Sequence, residues 1–253
     1  MRLVDSIRRH GETLFRWRGI APLLLLPAVV LALPESERMA KLFGESADHA
    51  WFYLCLVVSY AGLGVRWLTV GFVPAGTSGR NTNEQRAHVL NTSGAYSMVR
   101  NPLYVGNFLA LLGVFLSLKV WWLVALFGVV YALYIERVVA AEESFLAQKF
   151  GPDYESWVAS TPAFFPRFAN WRKPEAPFSF ATVLRREYAG VMAVALAFTV
   201  LEFVNDVLVN GESFQAWISE DAPWMVVIAG ATFVYVTLRS LKRHTRLLRV
   251  AGR

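Results

Sequence analysis

The sequence is poor in cysteine, in histidine and in charge. Only one of its 253 residues is cysteine, four are histidine and 17% are charged, whereas about 25% of the residues in a soluble domain carry charge. A single cysteine, Cys55, cannot form an internal disulfide, and the histidines are too scattered for a structural zinc site. These absences exclude disulfide scaffolds and zinc modules, and we expect no metal site. The sequence also lacks a Gly-x-Gly-x-x-Gly segment of the Rossmann type.

Long apolar stretches are what the chain has instead. Hydrophobic residues make up 55% of it, and its mean hydropathy is +0.39. A helix needs roughly 20 apolar residues to cross about 30 Å of hydrocarbon, and six stretches approach that length: residues 19–33, 51–72, 103–118, 120–135, 188–209 and 224–241. The sequence therefore predicts an all-α, polytopic transmembrane helical bundle of about six spans. The third and fourth, separated by Lys119, could instead form a tight hairpin that does not fully cross.

The basic residues predict the orientation of these spans. If the loops alternate between two compartments, 21 of the 25 Lys and Arg residues lie on one side and three on the other, with Arg66 inside a span. Cytoplasmic loops carry such an excess, so we expect an integral protein of the cytoplasmic (inner) membrane with both termini in the cytoplasm. The net charge of +6 is accordingly attributed to orientation and not to nucleic-acid binding. The opening segment is expected to be a basic interfacial helix rather than a cleavable signal.

Spans and loops divide the chain into three parts. Residues 1–72 comprise the interfacial helix and two spans, residues 73–170 a core built around the helical hairpin, and residues 171–253 an extension with two further spans. The loops on the outer side are short, so any chemistry is expected in the two large cytoplasmic loops of the core.

The first of these loops ends in the run Gly94-Ala-Tyr96-Ser-Met-Val-Arg100-Asn101-Pro102-Leu-Tyr104-Val-Gly106. Asn101 and Pro102 are typical of a helix start, because an Asn side chain can cap exposed backbone amides and Pro suits the first helical position. Gly106 follows on the second turn, where a small residue lets a ligand or a neighbouring helix come close.

The second loop carries Glu142-Glu143-Ser-Phe-Leu146, then Phe150-Gly151-Pro-Asp-Tyr154 and Trp157, and then Pro162-Ala-Phe-Phe165-Pro166. No helix breaker precedes Gly151, so the fourth span is expected to continue beyond the membrane as a helix that Gly151 ends. Adjacent helical residues point about 100° apart. One of Glu142 and Glu143 can therefore face a site while the other faces water.

Together these two runs resemble the isoprenylcysteine carboxyl methyltransferase and phospholipid methyltransferase families of integral membrane enzymes. Those families show Gly-x-Tyr-x-x-x-Arg-His-Pro-x-Tyr-x-Gly, a hydrophobic hairpin, Glu-Glu-x-x-Leu, Phe-Gly-x-x-Tyr and a closing Pro-rich run. The order and spacing match from Gly94 to Pro166.

The resemblance implies a multi-span fold with a pocket for S-adenosylmethionine between span ends and a cytoplasmic stretch. It implies catalytic roles for Arg100, Glu142 and Glu143. Cofactor binding is implied for Tyr96, Asn101, Pro102, Tyr104, Gly106, Glu142 and Tyr154, with Trp157 and Phe165 closing the pocket. Three departures stand out: Asn101 replaces the usual His of the isoprenylcysteine enzymes, Arg137 is farther from the Glu pair than usual, and two more spans follow Pro166.

The methyl acceptor stays open at this stage. A membrane-facing site favours a lipid or lipidated substrate: a prenylcysteine carboxylate, a lipid phosphate such as that of lipid A, or a phosphatidylethanolamine amine. Arginine forks bind carboxylate and phosphate, and the loops carry Arg80, Arg86, Arg100, Arg167, Arg172 and Lys173. These cations favour an anionic oxygen, although Arg167, Arg172 and Lys173 could equally serve topology and contact with anionic lipid. A competing class, a transporter or non-catalytic membrane protein, would be expected to show polar residues inside its spans in repeated halves.

Overall fold

The computed structural model describes residues 10–11, 13–17, 21–36, 42–74, 87, 89–220 and 222–250. These residues are helical or irregular, with no β-strand among them, so the all-α prediction is confirmed. We number the helices α1 (Leu26–Ala32, flanked by 3₁₀ turns Ala21–Leu25 and Leu33–Glu35), α2 (Glu45–Phe72), α3 (Ala95–Met98), α4 (Pro102–Ser117), α5 (Trp121–Phe150), α6 (Pro152–Ser160), α7 (Phe180–Phe203, continued by a π-helical turn Val204–Val209), α8 (Phe214–Glu220) and α9 (Ala222–His244).

Four of these helical segments are long and apolar enough to cross a bilayer: Ser46–Phe72, Trp121–Phe150, Phe180–Val209 and Ala222–His244. The other two predicted spans correspond to shorter apolar helices, Pro22–Glu35 and Pro102–Ser117. A helix of 16 residues, such as α4, extends only about 24 Å at about 1.5 Å per residue. The described residues therefore hold four full-length spans, and the prediction of six complete spans is not confirmed.

The α4–α5 hairpin turns at Lys119, which adopts the left-handed conformation with φ 59°. Its ammonium group lies 2.7 and 2.8 Å from the two carboxylate oxygens of Asp48 at the start of α2. The indole of Trp51 donates to the Leu116 carbonyl at 2.9 Å. These bonds tie the turn to α2, and we call this end of the bundle the Lys119 end. The opposite end, where α4 begins, is the Arg100 end, which the charge distribution predicts to be cytoplasmic.

Small residues bring α2 and α4 into close contact. A Cβ atom added to Gly106 would lie 2.7 Å from the Gly62 carbonyl oxygen, and one added to Gly113 would collide with the Cys55 carbonyl. The Ser59 hydroxyl also donates to the Ala110 carbonyl across the interface, at 2.8 Å. Backbones this close are the usual way in which membrane helices gain packing contacts.

Two apolar clusters fill the bundle on either side of this pair. One joins α1, α4 and α5 around Phe115, Leu123 and Phe127. The other joins α2, α7 and α9 around Phe52 and Phe198, whose rings meet edge to face with centroids 5.2 Å apart. The predicted C-terminal extension thus packs directly on α2.

The long helix α5 ends as the sequence predicted. It runs from Trp121 to Phe150 and stops at Gly151, whose φ of 52° suits glycine. The short helix α6 then folds back, and residues 161–179 return to the start of α7. This return places the two motif-bearing runs beside each other at the Arg100 end.

Candidate functional site

The start of α4 differs from the expectation in one detail. Pro102 occupies the first turn, as predicted, but the Asn101 side chain makes no cap hydrogen bond. The first amides, those of Tyr104 and Val105, donate instead to the Asn101 backbone carbonyl at 3.1 Å. The Asn101 side-chain amide is turned away and donates to the Ala163 carbonyl at 3.2 Å. The predicted side-chain cap is therefore wrong, because the tertiary contact holds the amide.

Arg100 joins α5 to the end of α6. Its Nε and Nη2 atoms both lie 2.9 Å from Glu143 Oε1, and Nη1 donates to the Thr161 carbonyl at 3.1 Å. The Arg100 backbone amide donates to the Pro162 carbonyl at 2.9 Å. The guanidinium thus has an evident structural role, and its charge-assisted bonds orient Glu143.

Glu142 faces α4 rather than open water. The Tyr104 hydroxyl donates to Glu142 Oε1 at 3.1 Å, and the Tyr131 hydroxyl donates to the Tyr104 carbonyl at 2.7 Å. Both Glu142 and Glu143 are partly buried. Glu142 thus faces α4, and Glu143, whose side chain is 30% exposed, pairs with Arg100 nearer the surface.

Tyr96 lies on α3, a single turn held against α6. The Trp157 indole donates to the Tyr96 carbonyl at 3.1 Å. Burial raises the pKa of the Tyr96 hydroxyl above its ordinary value, and the Glu142 charge raises it further, while Arg186 and Arg66 oppose this. The hydroxyl therefore lies within electrostatic reach of charges from α2, α5 and α7.

Tyr154 on α6 has a buried hydroxyl. Its side chain is 4% exposed, and Oη has no hydrogen-bond partner among the described residues. Burial and the neighbouring Glu143 charge raise the pKa of this hydroxyl, so it stays protonated near neutral pH and can donate a hydrogen bond. A buried donor without a partner costs about 1–3 kcal/mol, which a bound polar ligand would recover.

Gly106 has a packing role. A Cβ atom at this position would lie 2.6 Å from the Arg66 Cγ atom as well as close to the Gly62 carbonyl. The sequence allowed either a ligand or a neighbouring helix to approach Gly106, and in the structure the helix is α2.

We call Arg100, Tyr104, Glu142, Glu143 and Tyr154 the polar cluster. Beside it lies an ion pair within the spans that the sequence did not predict. Arg66 Nε and Nη2 donate to the two carboxylate oxygens of Glu187 at 2.7 and 2.9 Å, and Nη1 donates to Asn107 Oδ1 at 2.6 Å. The Glu187 side chain is only 3% exposed. A lone arginine within a span requires an anionic partner, and that rule could have pointed to Glu187, which adjoins the fifth apolar stretch.

The remaining candidates lie outside the cluster. Arg80 and Arg86 fall outside the described residues. Arg137 donates to the Leu133 carbonyl within its own helix. Phe165, which the resemblance placed over the pocket, is 89% exposed.

Two clefts border the cluster on the side of α6. The larger, of about 630 Å³, is lined partly by Asp153, Trp157 and Arg172. The smaller, of about 300 Å³, is lined partly by Ser97, Thr161 and Arg172. None of the residues predicted to bind the cofactor lines either of these two clefts. No group of three or more His, Cys, Asp or Glu that could hold a metal ion occurs among the described residues.

Two of the comparisons with known proteins concern bacterial proteins named for metal resistance. The cobalt-zinc-cadmium resistance protein CzcN of Cupriavidus metallidurans is 36% identical over 133 residues, which are 52% of this chain and 59% of its own length. The nickel-cobalt-cadmium resistance protein NccN of Alcaligenes xylosoxydans xylosoxydans is 35% identical over 127 residues, 49% of this chain and 56% of its own length. This chain thus spans less than two thirds of either relative.

A third relative is an enzyme. The protein-S-isoprenylcysteine O-methyltransferase of Schizosaccharomyces pombe is 32% identical over 85 residues, 34% of this chain and 36% of its own length. No solved structure matches the chain at a significant level.

The family comparison covers the cluster itself. Residues 74–153 match the phospholipid methyltransferase family, a segment that includes Arg100, Tyr104, Glu142 and Glu143 and ends just before Tyr154. The resemblance inferred from the motifs is confirmed, because residues 74–153 match the phospholipid methyltransferase family and the Schizosaccharomyces pombe isoprenylcysteine enzyme is a relative.

Proposed function

We propose that the protein transfers a methyl group from S-adenosylmethionine to the polar head of a membrane lipid, preferentially to an anionic oxygen of a phosphate or carboxylate. The observation that carries this proposal is the cluster at the Arg100 end. There the Tyr104–Glu142 and Arg100–Glu143 pairs lie within the family segment, at the end of an apolar bundle.

The polar groups at this end fit the proposed cofactor. Tyr154 offers a buried, unused hydroxyl donor, and Glu142 and Glu143 offer carboxylates that suit a cationic group or ribose hydroxyls. Arg100 suits a carboxylate. We propose that Tyr96, Asn101, Pro102 and Gly106 shape a cofactor pocket from α3 and α4 that is separate from the two clefts described above. When bound, the cofactor would supply an electrophilic methyl group on a sulfonium.

The chain's own contribution would be orientation and exclusion of water, since in-line displacement at a methyl group needs little else. Tyr104 and Arg100 hold the two carboxylates in place. The polar cluster lies at the end of the apolar helices, so we propose that the head group of a lipid enters there while its tails remain beside these helices. That geometry supports a lipid acceptor.

An ionised oxygen requires no proton removal, whereas an ammonium acceptor requires a general base. Arg186 lies within electrostatic reach of Tyr96, and Arg167, Arg172 and Lys173 are exposed near the same end. This positive charge favours an anionic head group. Head-group amine methylation and prenylcysteine carboxyl methylation are the alternatives within the same family resemblance.

The names of the two bacterial relatives raise the possibility that the reaction serves cells exposed to metal ions. The described residues contain no ready ligand cluster for a metal, so this possibility rests on the names alone. The methyl-transfer proposal rests on the family segment and its polar cluster.

The test begins with binding. Thermal unfolding of the purified protein in detergent is measured against S-adenosylmethionine, which should raise the midpoint because a ligand that binds only the folded state stabilises it. ATP, which shares the adenosine moiety but has no sulfonium, serves as the control. Absence of any shift or direct binding signal would contradict the cofactor assignment.

The acceptor is then identified in membranes. Total lipids from cells with and without the gene are compared by mass spectrometry for species that differ by one methylene unit. Methylation of a phosphate or carboxylate is expected. A methylated amine would refute the anionic acceptor while supporting methyl transfer, and glutamate substitution should then lower turnover by about 10²–10⁴-fold.

A further inference from the structure

The segment between α6 and α7 has a backbone pinned to the bundle. The Arg167 amide donates to the Met98 carbonyl, and the Gly94 amide donates to the Arg172 carbonyl, both at 2.9 Å. The Arg172 amide in turn donates to the Ser97 hydroxyl at 2.9 Å. Since α3 and its flanking residues hold the backbone, the side chains of this segment are displayed from a fixed platform.

Those side chains form an exposed surface of aromatic rings and basic groups. Phe165, Phe168 and Trp171 are 89%, 76% and 51% exposed, and the cations between and beside them are exposed as well. We call this surface the aromatic–basic rim, and its members are Phe165, Arg167, Phe168, Trp171, Arg172 and Lys173. Residues 163–173 contain no acidic residue. Three large aromatic rings left in the open on an anchored backbone indicate a surface with a partner.

The rim lies at the level where the apolar helices end. The amide of Ser179, just beyond it, donates to the Gly71 carbonyl in the last turn of α2 at 2.9 Å. Phe178 meets Phe72 with ring centroids 5.1 Å apart. The rim's contacts with residues 94–98 also place it beside the first turn of α4. In a bilayer, the ends of apolar helices lie at the boundary between hydrocarbon and head groups, where aromatic rings are enriched and anionic head groups attract Lys and Arg.

We propose that the aromatic–basic rim inserts into the anionic phospholipid surface of the leaflet at the Arg100 end. The aromatic rings enter the head-group region, and the three cations contact lipid phosphates. The partner is anionic phospholipid because the rim carries three cations and no carboxylate, and the exposed Glu175 just beyond it leaves the segment with a net positive charge. This inference does not depend on methyl transfer, since insertion of the rim needs no reaction, although the same three cations are among those that favour an anionic acceptor in the proposed function.

A single introduced cysteine can report the insertion. Cys55 is the one cysteine in the sequence and is buried, so a thiol-reactive fluorophore will label a new exposed cysteine selectively. Ala169→Cys places the label within the rim and leaves all six members intact. Gln148→Cys is the control, because Gln148 is exposed and lies about 40 Å along α5 from Trp121, beyond the hydrocarbon thickness.

Both labelled proteins are reconstituted in nanodiscs of phosphatidylcholine, with or without an equal share of phosphatidylglycerol. The label at position 169 should shift its emission to the blue and be quenched by a nitroxide on the lipid chains, more strongly in the anionic discs. The label at position 148 should respond to neither. Neutralising the cations (Arg167→Gln, Arg172→Gln, Lys173→Gln) should weaken insertion roughly 100-fold, the effect of about three surface cations.

Three results would overturn the proposal. The label at 169 could remain in water in anionic discs, or respond equally in neutral discs and after neutralisation of the cations. It could also respond only in discs that hold two copies of the protein, which would identify a second copy as the partner. Retained S-adenosylmethionine binding by the labelled protein would keep each of these results separate from the proposed function.

Discussion

The two ends of the bundle use charge differently. At the Lys119 end, Lys119 bonds both oxygens of Asp48, and the Ser36 hydroxyl donates to Asn205 at 2.9 Å. Each contact joins two segments that would otherwise separate. Trp217 has an indole N–H without a partner among the described residues, but its neighbours include aromatic rings such as Phe203.

The Arg100 end holds several charged groups close together. Two arginine–glutamate pairs, Arg66–Glu187 and Arg100–Glu143, lie there together with the Glu142 carboxylate. The unpartnered hydroxyl at this end belongs to Tyr154, whose surroundings are the charges of Arg100 and Glu143. If the proposed function is correct, the Lys119 end only fastens helices, whereas the Arg100 end also retains a hydrogen-bond donor, the Tyr154 hydroxyl, for a ligand. The variants below test this contrast from the largest expected effect to the smallest.

Removal of one partner from the ion pair at each end should affect stability unequally. Glu187→Ala leaves Arg66 buried without its carboxylate, and loss of one partner of a buried pair costs about 3–5 kcal/mol. Asp48→Ala should cost less, because Lys119 lies in the turn at the end of the bundle, where its flexible side chain can carry the ammonium group to water, whereas Arg66 lies within a span. Thermal unfolding in detergent measures both, and the double variant Arg66→Met, Glu187→Leu should recover most of the loss. Equal losses for the two single variants would contradict the contrast.

Exchange of the cation at each end should affect activity at one end alone. Arg100→Lys loses the guanidinium contacts to Glu143 and to the Thr161 carbonyl, at a cost of about 1.5–3 kcal/mol. If the proposed reaction is correct, kcat/KM for methyl transfer should fall by roughly 10- to 150-fold. Lys119→Arg retains a cation opposite Asp48 and should leave kcat/KM unchanged. A comparable fall in both variants would mean that Arg100 acts only through global stability.

Replacing a glycine by leucine should lower stability where the glycine lies at a helix contact and should have little effect where it does not. Gly106→Leu forces the new side chain against the Gly62 carbonyl, and overpacking typically costs about 1–3 kcal/mol. Gly128→Leu on α5 should be tolerated, since an added Cβ there meets nothing within 4 Å. Thermal unfolding again provides the measurement. Normal stability of Gly106→Leu would show that α2 and α4 need not approach so closely.

Replacement of Tyr154 and of Tyr131 by phenylalanine should change the free energy of unfolding in opposite directions. Tyr154→Phe eliminates an unsatisfied buried donor, so the cofactor-free protein should be as stable or about 1 kcal/mol more stable. Its affinity for S-adenosylmethionine should fall, by about tenfold, if that hydroxyl contacts the cofactor. Tyr131→Phe loses a 2.7 Å bond to the Tyr104 carbonyl and should lose about 0.5–1.5 kcal/mol of stability. Calorimetric titration and thermal unfolding distinguish the two, and unchanged affinity of Tyr154→Phe would remove Tyr154 from the cofactor site.

Local signals in the chain predicted the framework correctly. Apolar run length indicated the helices, Gly151 marked the end of α5, and the ordered motifs indicated the family that matches residues 74–153. Each of these depends on neighbouring residues or on the order of short motifs, so each can be recognised before the chain is folded. The cytoplasmic location of both termini and the roles of the individual site residues remain predictions.

Side-chain partners required the folded chain. Asn101 is a residue type that often caps helices, yet its side-chain amide donates to the carbonyl of Ala163, which is 62 residues away in the sequence. Glu187 lies 121 residues from Arg66 and belongs to a helix beyond the family segment. The lengths of the apolar runs likewise identified six segments. The end of α4 was visible only in the structure, where the turn at Lys119 is bonded to Asp48.

Hydrophobicity and motif order thus specified an apolar helical protein with a methyltransferase-family segment, because burial of apolar surface and helix capping act over a few turns of chain. The direction of each carboxylate and guanidinium was decided by tertiary packing, because a buried charge takes whichever partner the assembled helices bring within bonding distance. Glu142 and Glu143 show both effects: the sequence placed them side by side on α5, and tertiary packing gave one the Tyr104 hydroxyl and the other the Arg100 guanidinium as its partner.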